Sequence, residues 1–206
     1  MDTTIPGPDG RPRCRWCAAA PEFLRYHDTE WGFPVADDRR LFEKLCLEGF
    51  QAGLSWRTIL AKRENFRAAF HDFDFERIAE FTERDVMRLL ADAGIVRHRG
   101  KIEAVIHNAR CARRMVEREN SLAAFFWRYE PPAAELTAPQ SASTSAHSRA
   151  LAKDLKKLGW KFVGPTTVYA FMQAMGLIND HATACVIRDE AEQARQRFRR
   201  RTRDSR

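Results

Sequence analysis

The segment LADAGIVRHRGKI, residues 90–102, decides the fold, because it joins two helical patterns through a short connection that contains two glycines. Before it, Thr82 and Asp85 have the spacing of a capping box, in which the N-cap and N3 side chains bond each other's backbone N–H groups. Gly94 is a typical stop for the first helix, and the second is predicted to begin near Gly100. The segment therefore predicts two helices joined by a tight turn.

The connection between these helices carries positive charge as well as glycine. Gly100 precedes a helix N-terminus, where free backbone N–H groups attract anions, and Arg97, Arg99 and Lys101 add cationic side chains. This combination resembles a helix-hairpin-helix, which grips a DNA phosphate backbone without reading base sequence. We expect the element to cover about residues 83–117. Its predicted DNA-binding residues are Gly94, Ile95, Arg97, Gly100 and Lys101.

Helical periodicity continues through the rest of the chain, whereas strand alternation is nowhere convincing. Asp37 or Asp38 is expected to cap a helix that ends near Gly49, and Ser55 is expected to cap the next one. The predicted fold class is therefore all-α. Further predicted helices cover residues 121–128, 146–158 and 165–176, and a last one from Asn179 or Asp180 onward.

Composition places the chain among globular proteins. Of its 206 residues, 44% are hydrophobic and 31% are charged, and no apolar run approaches the roughly 18 residues of a membrane helix. The first residues are polar and the five cysteines are an odd number, which favours reduced thiols or metal ligands over disulfides. We therefore expect a cytoplasmic protein without membrane contact.

Positive charge is concentrated near the C-terminus. The last twelve residues contain seven arginines and one aspartate, which together carry +6 of the net charge of +7. Such a tail attracts any polyanion, so nucleic-acid binding and a disordered, solvated tail are both open interpretations. The predicted organisation is a disordered extension over residues 1–12, a helical domain over 13–190 and an Arg-rich tail over 191–206.

Two pairs of potential metal ligands lie at opposite ends of the chain. Cys14 and His27 are near the start, and His181 and Cys185 are four residues apart near the end, a spacing that places both on one face of a helix. Two Cys and two His form the tetrahedral donor set that structural zinc prefers. A second set competes, because Cys14 and Cys17 also have zinc half-site spacing and would leave His27 out. Spacing does not choose between the two sets.

Glu48 is the most unusual residue by position. It lies seven residues after Leu41 and so falls on the apolar stripe of its predicted helix. A buried carboxylate requires a partner, which we expect from a bound ligand or from Tyr26. The alternative is that the helix frays at Gly49 and leaves Glu48 exposed. Aromatic residues such as Trp56 beside a carboxylate suit a planar cationic ligand, although they equally suit an ordinary core.

Several motifs together resemble one protein family. They are Cys14-x-Trp16, Tyr26-His27-Asp28-x-Glu30-Trp31-Gly32, LEGFQAGLSW at residues 47–56, KRENF at 62–66, GIVRHRGKI at 94–102, KFVG at 161–164 and Asn179-Asp180-His181. Over residues 13–185 the sequence resembles the 3-methyladenine DNA glycosylase I family, of the helix-hairpin-helix superfamily. It departs from the family pattern at Phe23, where some relatives carry Tyr, and at Ala170, where a Ser can occur.

The resemblance implies a base-excision repair enzyme with two helical lobes, whose N- and C-terminal segments are tied together by a structural zinc. It implies a monomer that hydrolyses the N-glycosidic bond of 3-methyladenine in alkylated double-stranded DNA. It assigns zinc to Cys14, His27, His181 and Cys185, catalysis to Glu48 and Tyr26, base binding to Trp56, Trp16 and Phe23, and filling of the gap in the duplex to Gln51, Gly53 and Leu54.

Two alternatives to this interpretation remain at the level of sequence. One is a zinc-stabilised, non-catalytic helix-hairpin-helix module that clamps DNA, although such a module needs no carboxylate on an apolar stripe. The other is a glycosylase of wider tolerance that also releases 3-methylguanine.

Overall fold

The structure, a computed structural model, describes residues 3–204 and the side chains of residues 3–198. Across these residues the chain is mostly helical, with one pair of short strands, β1 (Thr4–Pro6) and β2 (Pro12–Cys14). None of the helices in this described part combines the length and apolar character needed to cross a membrane. The α-helices are α1 (Pro21–Thr29), α2 (Asp38–Gln51), α3 (Trp56–Ala61), α4 (Arg63–Ala69), α5 (Phe75–Ile78), α6 (Glu83–Ala91), α7 (Arg99–Glu119), α8 (Leu122–Phe126), α9 (Ala146–Lys157), α10 (Pro165–Ala174) and α11 (Ile187–Asp204).

The two strands form an antiparallel hairpin in which Thr4 pairs with Cys14 and Pro6 with Pro12. The hairpin lies largely within residues 1–12, for which a disordered extension was predicted, and because of it the fold is not purely α-helical. Three-residue strands are too short to show an alternating pattern. Backbone hydrogen bonds of Gly7 and Gly10 close the turn, and the Arg13 guanidinium adds a side-chain contact 3.1 Å from the Asp9 carboxylate.

Helix starts were predicted well, because each depends on a local hydrogen bond. The Asp37 side chain accepts from the backbone N–H of Arg40, 2.9 Å away. Thr82 and Asp85 form the complete capping box at the start of α6. A correction concerns the helix expected after Ser55, which is broken at Lys62 into α3 and α4.

The chain forms two compact units. The first consists of Met1–Val35, Glu130–Ser143 and Met172–Arg206, and the second of Ala36–Tyr129 and Thr144–Phe171. The chain passes from the second unit to the first within α10.

The second unit is built around a run of phenylalanine rings. Phe50 and Phe66 have ring centroids 4.6 Å apart, and Phe70 stacks on Phe73 at 5.7 Å. All four rings are fully buried, and each contributes about 1.5–3 kcal/mol of hydrophobic stabilisation. The 21-residue helix α7 packs against α2, α5, α6 and α8, so the hairpin that precedes it is held by the body of this unit.

The first unit brings the two ends of the chain together in one small core. Cys14 of β2 is fully buried with Ala182, Cys185 and Ile187, and Trp16 packs against this group. Helix α1 packs against the short 3-10 helix Arg15–Ala19, which follows β2 directly.

Two expectations for the C-terminal region are corrected. The last helix does not begin at Asn179 or Asp180, because residues 179–186 form turns and α11 begins at Ile187. His181 and Cys185 are therefore not one helical turn apart. Helix α11 runs from Ile187 to Asp204, through the described part of the predicted Arg-rich tail over residues 191–206, whose last two residues lie outside the described part. Arg195 explains the anchoring of this helix, because its buried guanidinium lies 2.8 Å from the Glu130 carboxylate.

Candidate active site and metal site

Three potential metal ligands converge inside the first unit. The ligand atoms of Cys14 on β2, His27 on α1 and Cys185 in the turn before α11 all lie within 4.8 Å of one another. All three residues are buried, and His27 Nε2 lies 3.5 Å from Cys185 Sγ. Buried soft sulfur and imidazole donors at these separations are the chemistry of a metal site.

The surroundings of this cluster orient its donors. The Nδ1 atom of His27 lies 2.6 Å from the Asp28 carboxylate, which leaves Nε2 to face the cluster. Asp28 is in turn held by the Arg13 guanidinium, whose Nε lies 3.1 Å from both carboxylate oxygens. The backbone N–H of Ala182 donates to Cys14 Sγ at 3.2 Å. Such contacts are typical of the shell that surrounds a bound metal.

His181 adds a fourth donor in the same unit. It is fully buried, its Nδ1 lies 3.0 Å from the Asn179 side-chain oxygen, and its ring centroid is 4.9 Å from that of His27. Its Nε2 is buried and has no hydrogen-bond partner within the part of the chain that the structure describes. Burial lowers the pKa of His181 to about 4, so its imidazole is neutral, which is the ligating form.

Gly32 is required by this arrangement. Its φ is +85°, and a Cβ built on it would lie 2.7 Å from Cε1 of His181. The residue after Trp31 is therefore restricted to glycine by both backbone conformation and space.

The geometry favours one of the two ligand sets that spacing left open. Cys17 lies on the 3-10 helix, where burial raises its pKa to about 11. The cluster of converging ligand atoms includes a ring nitrogen of His27 but not the sulfur of Cys17. A hydrogen bond between the two thiols raises the pKa of Cys14 and lowers the pKa of Cys185. Binding of a cation by these thiols would release their protons.

A second buried polar group lies in the second unit, on α2. Glu48 is 6% exposed, and its carboxylate lies 2.8 Å from the ammonium of Lys44, one helical turn earlier. The same ammonium lies 3.4 Å from the ring centroid of Trp56, which is the first residue of α3. Glu48 is thus buried as predicted, and the fraying alternative is wrong. The partner expected from a ligand or from Tyr26 is supplied here by Lys44, which shares the helix face of Glu48 at i−4 and could have been found by that spacing.

The turn from Gln51 to Ser55 presents an apolar tip. The backbone N–H of Leu54 donates to the Gln51 carbonyl oxygen at 2.6 Å. Gly53 has a φ of +78° and no atom near its missing side chain, and Leu54 is 42% exposed. An exposed leucine on a tight turn has the form expected of a residue that fills a gap in a duplex.

The helix-hairpin-helix connection runs from Asp92 to His98, between α6 and α7. Gly94 is needed for close approach, because a Cβ there would lie 2.9 Å from Oδ1 of Asp92. The carbonyl oxygen of Gly94 accepts from Lys62 Nζ at 3.1 Å and from Asn65 Nδ2 at 3.3 Å. Both residues belong to the KRENF motif at 62–66, but their role in fixing the hairpin was not predicted from the sequence.

The predicted DNA-binding residues of the hairpin differ in accessibility. Arg97 is exposed, and Ile95 is buried beneath the turn. Lys101 is buried, and its ammonium lies 2.9 Å from the Phe50 carbonyl oxygen and 2.5 Å from that of Ala52. Burial also lowers the pKa of Lys101. The sequence predicted a phosphate contact for this ammonium, whereas the structure holds it on two backbone carbonyls.

The remaining aromatic site residues belong to the first unit. Trp16 is half-buried and meets Phe23 at 5.9 Å and Tyr26 at 6.3 Å between ring centroids, both edge to face. It also packs against His27 at 5.2 Å. The residues predicted to bind the base therefore form two groups, one around Trp16 in the first unit and one around Glu48 in the second.

Comparison with known proteins agrees with these features. Residues 16–189 match the family described as methyladenine glycosylase. DNA-3-methyladenine glycosylase 1 of Escherichia coli K12 is 50% identical over 177 residues, which cover 84% of this chain and 95% of that protein.

Solved structures match in fold as well. A crystal structure of 3-methyladenine DNA glycosylase I superposes with a TM-score of 0.80 at 52% identity, covering 84% of this chain and 98% of that one. The enzyme from Staphylococcus aureus, solved to explain its recognition of 3-methyladenine, has a TM-score of 0.79 at 38% identity, with coverage of 84% and 95%. The chain belongs to the methyladenine glycosylase family.

Proposed function

We propose that this protein is a DNA-3-methyladenine glycosylase of base-excision repair. It hydrolyses the N-glycosidic bond of 3-methyladenine in alkylated double-stranded DNA, releases the free base and leaves an abasic site. The observation that carries this proposal is the buried Glu48 carboxylate on α2, next to the ring of Trp56. Two relatives named DNA-3-methyladenine glycosylase, at 50% and 44% identity, support the assignment.

The chemistry follows from the charge of the damaged base. Methylation at N3 makes adenine cationic, so the base is a good leaving group and little general-acid power is required. Glu48 accepts hydrogen bonds from the flipped base and offsets its charge, and Trp56 stacks on its face. Lys44 fixes the position of the Glu48 carboxylate, since their atoms are already 2.8 Å apart.

The first unit contributes aromatic surface and a hydroxyl group. Tyr26 is the second catalytic residue, and Trp16 and Phe23 bind the base. The resemblance assigns these roles, and the edge-to-face packing of Trp16 on Phe23 and Tyr26 supports them by fixing the three rings relative to one another.

The second unit binds the duplex. Leu54, with Gln51 and Gly53, fills the space left by the flipped base, and Arg97 contacts a phosphate beside the backbone amides of Gly94 to Gly100. Hydrolysis without strand cleavage is expected, because two carbonyl oxygens hold the ammonium of Lys101 in the hairpin.

One zinc ion per chain is bound by Cys14, His27, His181 and Cys185. The donor set fits this ion because three ligand atoms already converge and the fourth, His181 Nε2, is buried without a hydrogen-bond partner among the described residues. When bound, the ion contributes stability by cross-linking β2, α1 and the turn before α11. The catalytic step takes place on protein groups and water.

The experiment that tests the proposal is single-turnover release of 3-methyladenine from a methylated duplex by the purified protein, which acts as a monomer. Wild-type protein is expected to release free base and to leave alkali-labile abasic sites. Glu48→Gln is expected to bind the duplex but to release base more slowly. Duplex binding without any base release by the wild type would instead identify the non-catalytic module. Release of 3-methylguanine at a comparable rate would identify the wider substrate range.

A further inference from the structure

Phe162 is a large apolar residue that is exposed and has an unfavourable backbone conformation. In the part of the chain with described side chains, three large apolar residues are exposed: Leu54, Met87 and Phe162. Phe162 is 42% exposed and has a φ of +56°, a left-handed conformation that bulky residues rarely adopt. Backbone strain of this kind persists only where the surrounding structure imposes it, and it concentrates at ligand contacts.

The surrounding residues do impose this conformation. The side chain of Asn108 on α7 donates to the Lys161 carbonyl oxygen at 2.9 Å and accepts from the Lys161 backbone N–H at 2.8 Å. His107, one residue earlier, lies 2.8 Å from the Gly159 carbonyl oxygen, and Trp160 between them is buried. The turn from Gly159 to Phe162 is thus fixed from both sides, and its outcome is an exposed aromatic ring beside an exposed lysine.

The Phe162 turn lies against the C-terminal part of α2, which leads into the Leu54 turn, and against the start of α7. A Cβ built on Gly49 of α2 would lie 3.3 Å from the Cβ of Phe162, so glycine at this position lets the ring approach the helix. Gly49, Phe50, Lys101 and Phe162 line one small cavity. Because Lys101 holds the carbonyls of Phe50 and Ala52, the helix end that leads into the Leu54 turn is tied to the same place.

We propose that Phe162 is a second apolar contact to the duplex, in addition to Leu54, and that Lys161 contacts a neighbouring phosphate. Base–aromatic stacking tolerates any sequence, and an exposed cation beside the ring suits a polyanion. Duplex DNA is therefore favoured over an apolar protein partner. The proposal rests on the proposed function, because it names a further surface for the same substrate.

The test measures binding to a duplex with a tetrahydrofuran abasic analogue and to an undamaged duplex, by fluorescence anisotropy at several salt concentrations. Phe162→Asn is the main variant, because Asn tolerates the left-handed conformation and preserves the turn. It is expected to weaken binding to the abasic duplex about 10-fold or more, from loss of one stacking contact. Its melting temperature and its affinity for free 3-methyladenine are expected to remain those of the wild type.

Met87→Asn is the matched control. Met87 is 55% exposed but lies beside Arg99, which is paired with Glu83 and Glu103, so its surroundings do not favour DNA. This variant is expected to bind both duplexes as the wild type does. Lys161→Gln is expected to weaken binding to both duplexes and to reduce the log–log salt slope by about one unit.

The outcomes separate the two proposals. If the wild type excises 3-methyladenine and Phe162→Asn binds both duplexes with unchanged affinity, the Phe162 contact is overturned and the glycosylase function stays in place. Absence of excision by the wild type, with weakened duplex binding in Phe162→Asn, would uphold the contact and remove the proposed function. An equal loss of affinity in Met87→Asn would also overturn the contact, since any exposed apolar residue would then matter.

Discussion

The two units each bury a polar cluster, and the clusters are neutralised in different ways. In the second unit, the Glu48 carboxylate already has an internal counter-charge in Lys44, 2.8 Å away. In the first unit, the ligand atoms of Cys14, His27 and Cys185 converge, and His181 presents a buried nitrogen with no hydrogen-bond partner among the described residues. The cluster of the first unit is suited to a cation from outside, whereas Glu48 in the second unit already has a counter-charge beside it.

This comparison predicts the largest effect for loss of a metal ligand. Cys185→Ala is expected to release the zinc and to lower stability strongly, since structural zinc contributes on the order of 10 kcal/mol in small domains. Metal content by mass spectrometry and the melting temperature measure the effect. Cys17→Ala is the matched control, because Cys17 lies nearby but outside the ligand cluster. Zinc retained in Cys185→Ala, or lost in Cys17→Ala, would show that the ligand set is wrong.

Removing the charge of Glu48 is expected to have the next largest effect. Glu48→Gln leaves Lys44 facing a neutral amide in a buried site, and breaking a buried pair costs about 3–5 kcal/mol. If Glu48 were a lone buried carboxylate, Glu48→Gln would stabilise the protein. Because Glu48 is paired with Lys44, we expect Glu48→Gln to destabilise it instead. Excision of 3-methyladenine should fall roughly 10- to 1,000-fold if one charge-assisted hydrogen bond and some electrostatic stabilisation are lost.

A double variant separates the two effects of Glu48→Gln. Glu48→Gln combined with Lys44→Met removes both charges and is expected to recover part of the lost melting temperature without recovering excision. Recovery of activity with stability would show that Glu48 acts only through the fold.

Two glycines with similar backbone angles sharpen the comparison further. Gly32→Ala brings a methyl group to 2.7 Å from the His181 ring, and it is expected to cost about 1–3 kcal/mol and to weaken zinc binding. Gly53→Ala has the same backbone restriction but open space around it, so about 1 kcal/mol is expected, with zinc unaffected. Chelator competition and thermal unfolding measure the two quantities. Equal zinc affinity in the two variants would contradict the role assigned to Gly32.

The smallest expected effect concerns the hairpin. Arg97→Gln should weaken binding to all duplexes alike and reduce the log–log salt slope by about one unit. Lys101→Met is expected to lower the melting temperature without changing that slope, because its ammonium binds carbonyls rather than phosphate. A slope change in Lys101→Met and none in Arg97→Gln would reverse these assignments.

The sequence predicted what depends on local hydrogen bonds. The Asp37 cap and the Thr82–Asp85 capping box were confirmed, because each is contained within four residues. Residues 179–186 were predicted to lie on a helix by their spacing, but they form a loop with turns, in which Cys185 reaches His27 and Ala182 contacts Cys14. Those contacts span more than 150 residues and leave no local pattern.

Side-chain partners were predicted less well than positions. Glu48 was correctly expected to be buried, but its partner was expected from a ligand or from Tyr26 rather than from Lys44. Lys101 was assigned to a phosphate because it lies among the positive charges of the hairpin. Both lysines are buried with oxygen partners, and only the three-dimensional contacts identify those partners.

The segmented first unit fixes an order of events during synthesis. Cys14 and His27 leave the ribosome early, and His181 and Cys185 follow after about 150 further residues. At a translation rate of roughly 5–20 residues per second, Cys14 and His27 are synthesised on the order of ten seconds or more before His181 and Cys185. The whole of Ala36–Tyr129 is synthesised in that interval and can begin to pack. Assembly of the Cys14–His27–Cys185 cluster is therefore a late step, which takes place only in chains that have been translated through Cys185.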